Sequence, residues 1–437
     1  MKIIMPRNVE FIIDRIYEYG FEAFIVGGCV RDKILGNEPN DYDITTSAKP
    51  NDILNIFKKF KIIDNGIKHG TVGIIIDNEV YEITTYRIEG EYENNRKPKE
   101  VEFTLDLIED LKRRDFTINA MAYNYKCGLI DKFNGLEDLQ NKLIKTVGNP
   151  DERFTEDALR IIRAVRFSCK LGFTIEEKTL NSIYKNSSLI TNISIERIND
   201  EFTKTILSNY TSNLIIFIKS NILKYLNIYS DLKQADYSFL EKNINILEKA
   251  PRSLEERLIL VEYLIINNKF VSINENIERI ELYNLHMKNE SIVNKLRYSN
   301  KIKNTCNKLI QFMLIDEDKL DKLKVKKILN EIGIEYFIKI LNLKKLYYDN
   351  CLHYSSEKDR NIKKNIIDKI IHIINDINNN RECYTIKELN INGNDLKQLG
   401  YRGSDIGKIL NFLLNKVQEN PHINHKVELI KLLNKDI

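Results

Sequence analysis

Apolar and polar positions change rhythm about a third of the way along the chain. Up to residue 150 the apolar residues come in short runs cut by turn residues. Phe21 to Val26 predicts a buried strand that ends at Gly27-Gly28, and Val30 to Leu35 predicts a helix closed by Gly36. Thr71 to Ile76 and Val80 to Thr85, joined by Asp77-Asn78-Glu79, predict a hairpin. From Thr155 onward helical periodicity dominates, glycines thin out, and Asn, Lys and Ile become frequent. The expected fold class is α+β: a small mixed-sheet head followed by an all-helical neck, body and tail. Boundaries are placed at 1–150 for the head, 151–215 for the neck, 216–330 for the body and 331–437 for the tail. No repeat with a period of about 20 to 50 residues is visible, which excludes a solenoid.

Length and composition narrow this picture. A chain of 437 residues is long for one hydrophobic core, so two or more folded units are expected. Hydrophobic residues at 43% and charged residues at 30% match a soluble globular protein and exclude the disordered, collagenous and membrane classes. Met1 to Arg15 carries Pro6 and several charges instead of a secretory signal. The longest apolar stretch, Leu258 to Ile266, is broken by Glu262 and is too short for a bilayer. A soluble, cytoplasmic protein with no membrane partner is expected. Six cysteines without a CxxC pair or zinc-ligand spacing point to reduced thiols. The net charge of +4 hides an asymmetry. Residues 1–150 hold 21 basic and 25 acidic side chains, whereas residues 151–437 hold 46 and 38. Such a balance suits a unit that collects carboxylates joined to a surface able to meet a polyanion.

Candidate chemistry begins at Asp41-Tyr42-Asp43, after the turn signal Pro39-Asn40. In a strand, residues i and i+2 share a face, so the two carboxylates point the same way. Like charges that close repel unless a cation neutralises them, and paired oxygens suit Mg²⁺. Alone, such a pair is equally an acidic surface loop. The upstream run Gly27-Gly28-Cys29-Val30-Arg31-Asp32 changes the balance, because it reads as a strand-to-helix junction. Gly27 and Gly28 let backbone N–H groups approach a triphosphate, and Arg31 supplies a bidentate phosphate donor. Phosphate binding beside a metal pair is a nucleotidyl-transfer arrangement. Glu82, on the strand Val80 to Thr85, is a third candidate metal ligand or an ordinary strand acid.

With these residues in view the sequence resembles the bacterial-type (class II) tRNA nucleotidyltransferases, the CCA-adding enzymes of the polymerase-β-like superfamily. Gly27 to Asp32 looks like the GGxVRD turn of that family, Asp41 and Asp43 like its DxD, and Arg113 to Ala120 like its RRDFTxNA element. Glu156-Asp157-Ala158-Leu159-Arg160 resembles its EDxxR element, and Ile195-Glu196-Arg197-Ile198 a further neck motif. Agreement is collinear from residue 21 to about 205; beyond it, only Asn392 to Val417 looks like the family tail.

The resemblance implies addition of CMP, CMP and AMP from CTP and ATP to the 3′ end of tRNA, with pyrophosphate release and Mg²⁺ as the only cofactor. It implies that Asp41 and Asp43 are the catalytic metal ligands, with Glu82 as a possible supporter. It also implies that Arg114 contacts nucleotide and that Asp115 reads the ribose hydroxyl with Asn119 nearby; a capping or salt-bridge role is the alternative. Positions i and i+3 on a helix are neighbours, so Asp157 and Arg160 are expected side by side, facing a base edge. An acid beside a guanidinium satisfies the edges of cytosine and adenine, while guanine and uracil would leave both unpaired. The alternative for that couple is an exposed ion pair. Arg163 and Arg166 continue the three-residue step and suit phosphates or bases.

The polar segment Tyr86 to Pro98 corresponds to the family's flexible loop; its full length favours complete CCA addition. His69 has no catalytic task in this scheme. The basic stretches Asn294 to Lys303 and Leu343 to Tyr348 either track tRNA phosphates or are solvated amphipathic faces. A bacterial poly(A) polymerase, which shares head and neck motifs, and a non-catalytic tRNA-binding protein are the competing readings.

Overall fold

The computed structural model of the chain describes residues 2–90, 92–93, 97–98, 101–228, 237–272, 290–351 and 356–436. They fall into two compact units, Met1–Asp231 and Leu232–Ile437. The first opens with α1 (Arg7–Glu18), which buries Val9, Ile12, Ile13 and Ile16, the spacing of one helical stripe. There follow β1 (Ala23–Val26), α2 (Gly28–Ile34), β2 (Ile44–Thr46), α3 (Pro50–Ile56), β3 (Lys61–Ile63), β4 (Thr71–Ile76) and β5 (Glu79–Thr85). Next come β6 (Arg87–Glu89), β7 (Tyr92–Glu93), β8 (Lys97–Pro98), β9 (Val101–Phe103), α4 (Leu107–Lys112), β10 (Met121–Asn124) and β11 (Gly128–Asp131). Seven strands form one mixed sheet in the order β11-β10-β1-β2-β5-β4-β3. Only β2 and β5 run parallel in it.

Local chemistry explains where these elements differ from the pattern. β1 starts at Ala23 because the Phe21 N–H goes to the Ile16 carbonyl and closes the end of α1. Its four residues are all buried, as the centre of a sheet requires. α2 begins at Gly28, earlier than Val30, and the chain leaves it through Gly36 at φ 80°. In the β4–β5 hairpin Asp77 and Asn78 take φ 52° and 66°, a two-residue turn whose twist matches that of the strands, so Glu79 joins the ladder. Beyond β5, among the described residues of the segment expected as a flexible loop and those that follow it, β6 pairs with β9 and β7 with β8 in antiparallel ladders. Glu91 and Arg96 of that segment lie outside the described residues.

The head closes with α5 (Gly135–Gln140) and β12 (Leu143–Ile144), and the neck follows with α6 (Pro150–Glu156), α7 (Leu159–Leu171), β13 (Thr174–Ile175), α8 (Glu177–Asn186) and α9 (Ile195–Ile206). β13 corrects the expectation of a purely helical rear half: Leu143 and Ile144 pair in parallel with Thr174 and Ile175. α7 and α9 pack on each other, and Ile161, Ile162 and Val165 of α7 and Ile198 and Phe202 of α9 are buried.

The second unit is helical among its described residues, with long helices at Leu254–Ser272, Asn300–Leu314, Lys322–Asn350, Glu357–Asn379 and Ser404–Glu419. Leu258 to Ile266 is buried all round, Glu262 included. That carboxylate accepts from Ser291 Oγ at 2.9 Å and Ile292 N at 2.6 Å, at the start of the helix Ile292–Lys295. No described helix is long and apolar enough to cross a membrane.

The first basic stretch is not one continuous helical face, and the second lies in a helix whose tyrosines cover the core. Asn294 to Lys303 breaks at Arg297, whose φ is 54°. In Leu343 to Tyr348, Tyr347 and Tyr348 are core residues, and buried Lys344 pairs with Glu317 at 2.7 Å. Lys345 bonds Asp368 at 2.6 Å. An apolar environment turns Lys344 inward to a carboxylate, whereas Lys345 stays at the surface beside Asp368.

Candidate active site

β1 and β2 run antiparallel, and their ladder extends past β2 to the aspartate pair: Val26 N donates to the Asp43 carbonyl at 3.0 Å. Asp41 to Asp43 therefore lies in the lead-in to β2, outside the strand in which it was expected. Both aspartates are exposed, at the point where β1 turns into α2. Continuing the parallel register Ile44–Ile83 back by one residue sets Asp43 across from Glu82, which is also exposed. Desolvation, then the Asp41 charge, raise the Asp43 carboxyl above the usual range; Arg114 opposes this and Glu82 adds to it. Among the described residues no set of three or more His, Cys, Asp and Glu side chains is spaced as a ready metal cage. Two hard oxygen donors that repel each other still fit a divalent cation of the kind that completes its shell with phosphate oxygens and water.

The turn between β1 and α2 is shaped by Gly27, at φ 80° and ψ −126°. A Cβ there would stand 3.0 Å from Arg114 Nη1, so the missing side chain makes room for that guanidinium. Arg114 reaches Asp110 Oδ2 at 3.5 Å, while its buried Nε has no hydrogen-bond partner. An orphaned donor beside a glycine turn and two aspartates fits an anionic ligand.

Arg31 does not point outward as a free phosphate donor. It is buried, with Nη1 on Asn119 Oδ1 at 2.6 Å and Nε on Asp32 Oδ1 at 2.8 Å. The 3₁₀ turn Thr117–Asn119 holds Asn119 so that its Nδ2 donates to Asp115 Oδ1 at 3.1 Å. Asp115 Oδ2 in turn takes both Nε and Nη2 of Arg163, at 2.8 and 2.7 Å. Burial pushes the Asp115 carboxyl up, but Arg163, with Asn119 and Arg160, overrides this and holds it at about 2. Arg163 Nη1 reaches Glu201 on α9 at 3.3 Å, and Arg166 Nε bonds the other Glu201 oxygen. Arg31, Asn119, Asp115, Arg163, Glu201 and Arg166 thus form one chain from head to neck. Its two ends meet on Phe167, whose ring centroid lies 5.2 Å from the Arg31 guanidinium carbon and 4.0 Å from that of Arg166.

Asp157 and Arg160 are not the helical neighbours expected. Asp157 takes extended angles, φ −135° and ψ 102°, and separates α6 from α7. Its Oδ1 accepts from Leu159 N at 3.1 Å and its Oδ2 bonds Arg197 Nη2 at 2.8 Å. Arg160 is buried, with Nη1 on Glu156 Oε2 at 2.5 Å and Nη2 on the Arg113 carbonyl at 3.1 Å. The i,i+3 argument assumes an unbroken helix, and a carboxylate that caps the first turn of α7 breaks it. Sequence reasoning also missed Asp110, Phe167 and Glu201. All three stand in helices whose periodicity marks only a buried face, and nothing local shows what they meet.

Fold and site together define a class, a polymerase-type head carried on a helical neck. Residues 23–145 match the family model described as "Poly A polymerase head domain", and residues 172–229 match "Probable RNA and SrmB- binding site of polymerase A". A CCA-adding enzyme of Oceanobacillus iheyensis is 43% identical over 282 residues, 64% of this chain and 68% of the relative. One from Ligilactobacillus salivarius is 48% identical over 231 residues, 53% of this chain and 57% of the relative. The CCA-adding enzyme of Bacillus stearothermophilus, solved in complex with CTP, superposes with a TM-score of 0.73 at 26% identity, covering 99% of this chain and 98% of that one. The chain belongs to the CCA-adding enzyme family. The matched segments of the first two relatives span between about half and two thirds of their lengths. Nucleotidyltransferases of this family need a divalent metal.

Proposed function

We propose that the protein adds CMP, CMP and AMP, from CTP and ATP, to the 3′ end of tRNA and releases pyrophosphate. The carrying observation is the pair of exposed aspartates at the β1–α2 turn, beside a glycine that admits Arg114, in a chain of this family. On this reading the head is 1–150, the neck 151–215, the body 216–330 and the tail 331–437, the last two gripping the tRNA.

Asp41 and Asp43 would hold the metal, Mg²⁺ by the hardness of the donors, with Glu82 in support. When bound, the ion neutralises triphosphate charge and makes the terminal RNA hydroxyl a better nucleophile. The chain's own residues do the rest by placement and charge. Gly27 and Gly28 let the backbone come close to the triphosphate, and Arg114 offers its unpartnered Nε. Arg31 stiffens the wall through Asp32 and Asn119. Asp115 and Asn119 meet the ribose. Asp157, at the α6–α7 break, and Arg160, in the first turn of α7, meet the base. Arg163 and Arg166, fixed by Asp115 and Glu201, supply positive charge along the nucleotide.

The test is product sequencing with tRNA ending before the first C, after one C and after two. CTP alone should extend the shortest substrate by two cytidines, an outcome a poly(A) polymerase cannot produce. Asp41→Asn and Asp43→Asn should each lower the rate at least about 100-fold, since each removes half of the cation's protein charge. Undiminished extension by the double variant would overturn the reading, and so would loss-free activity in excess chelator.

A further inference from the structure

We propose that Asp110 is a positioning residue for this reaction, setting the place of Arg114 and of β6 relative to the aspartate pair; the inference rests on the function proposed above. Asp110 stands on α4 and is fully buried. Its Oδ1 accepts from Arg113 Nε at 3.0 Å, Arg113 Nη2 at 2.8 Å and the backbone N of Arg87 at 3.3 Å. Its Oδ2 accepts from Thr45 Oγ1 at 3.2 Å and Arg114 Nη2 at 3.5 Å.

These donors come from separate places that the reaction must keep in register. Thr45 is the second residue of β2, two positions after Asp43. Arg114 is the guanidinium that lies against Gly27. Arg87 opens β6, and its Nη1 also holds the His69 carbonyl at 2.5 Å. Arg113 ties the same strand a second time through Glu89 Oε1 at 3.1 Å, and its own carbonyl receives Arg160. One carboxylate is therefore the common acceptor for β2, β6 and both arginines of the pair. The longest of its bonds is the one to Arg114, whose Nε is unpartnered. Asp110 thus steers that guanidinium without saturating it, leaving donors for a substrate phosphate.

Every group that faces either oxygen except the Thr45 hydroxyl is donor only; that hydroxyl also has the Thr84 carbonyl to donate to, at 3.2 Å. An amide whose NH₂ takes the Oδ2 place can donate to Thr45 Oγ1 but stands against Arg114 Nη2, and in the other orientation it stands against Arg113 and Arg87 N, so Asp110→Asn removes the placement of an arginine while preserving shape. The experiment is a double-mutant cycle on single-turnover CTP addition in the full chain, using Asp110→Asn, Arg114→Lys and both together, with thermal melting alongside. Misplacement of the arginine should cost on the order of 10- to 100-fold in kcat/KM for Asp110→Asn. The double variant should lose no more than Arg114→Lys alone, because the carboxylate acts through that guanidinium.

Thr45→Val, which removes one donor from β2, is the second variant should Asp110→Asn fail to fold. It should lose several-fold in kcat/KM, again without adding to Arg114→Lys. Losses that multiply, or a fall in melting temperature with unchanged kcat/KM, would overturn the proposal. If the unmodified protein adds no nucleotide, the proposed function fails instead, a result distinct from any pattern among the variants.

Discussion

The Asp115 carboxylate shows how much of the site is decided by a few charged contacts. Its folded value of about 2 lies below the ordinary 3.8, so its ionised form favours the folded state. That contribution is complete above pH about 3.8 and disappears as pH falls through about 2, a loss of about 2 kcal/mol. Asp115→Asn should therefore flatten the pH dependence of urea unfolding in that window and leave it unaltered near neutrality. Asp43 has the opposite sign. Its raised carboxyl favours folding at low pH and opposes it once ionised, which a bound cation reverses. Tyr86 makes a third case. Its hydroxyl is buried in the core with Phe24, Leu107 and Leu111 and has no partner. Tyr86→Phe should leave stability unchanged or raise it by about 1 kcal/mol in a urea melt. Tyr123→Phe should cost about 1 kcal/mol, because the Tyr123 hydroxyl accepts from Ile3 N at 3.0 Å.

At the scale of elements, the join between head and neck is carried by α7 lying between the 3₁₀ turn and α9. Glu201 is buried and answers two arginines of α7 at once, with Asp115 answering one of them from the head. Removing its charge leaves the half-buried Arg166 without that carboxylate and Arg163 with Asp115 alone. Glu201→Gln should lower the unfolding free energy of the first unit by roughly 3 kcal/mol, read from the midpoint of its urea transition. The hairpin, β1 and α2 were legible from turn residues and apolar runs because their causes are local: Asp77-Asn78 tolerate positive φ, and glycines end the strand. The break at Asp157 was not legible. Its carboxylate holds Leu159 N with one oxygen and Arg197, forty residues away, with the other, and no local periodicity records that second partner.

The whole molecule joins an acidic front part to a basic rear part. If the rear part grips tRNA, affinity for tRNA should fall linearly on a log–log plot against salt, with a slope of about 0.7 to 0.9 per phosphate contacted. The KM for CTP, set by contacts inside the head, should move far less over the same range. Filter binding and steady-state kinetics at several potassium chloride concentrations measure both. A tRNA affinity that ignored salt would remove the charge asymmetry from the account. Of the basic stretches at 294–303 and 343–348, buried Lys344 faces Glu317 and is lost to this surface, whereas Arg297 and Lys301 stay exposed.

The sequence by itself determined the α+β head, the helical remainder, the family, and the residue types of the site. Each follows from short-range rules of periodicity, turn conformation and motif spacing, which act within a few residues of one another. Tertiary structure alone decided which of those residues face a ligand and which hold the others still. Arg31 and Arg160 turned out buried and engaged, Asp157 became the extended residue that parts α6 from α7 while Arg160 stands in the first turn of α7, and Asp110, Phe167 and Glu201 emerged as the anchors. A buried charge takes whatever partner the fold brings within hydrogen-bond reach, and that partner can stand anywhere along the chain.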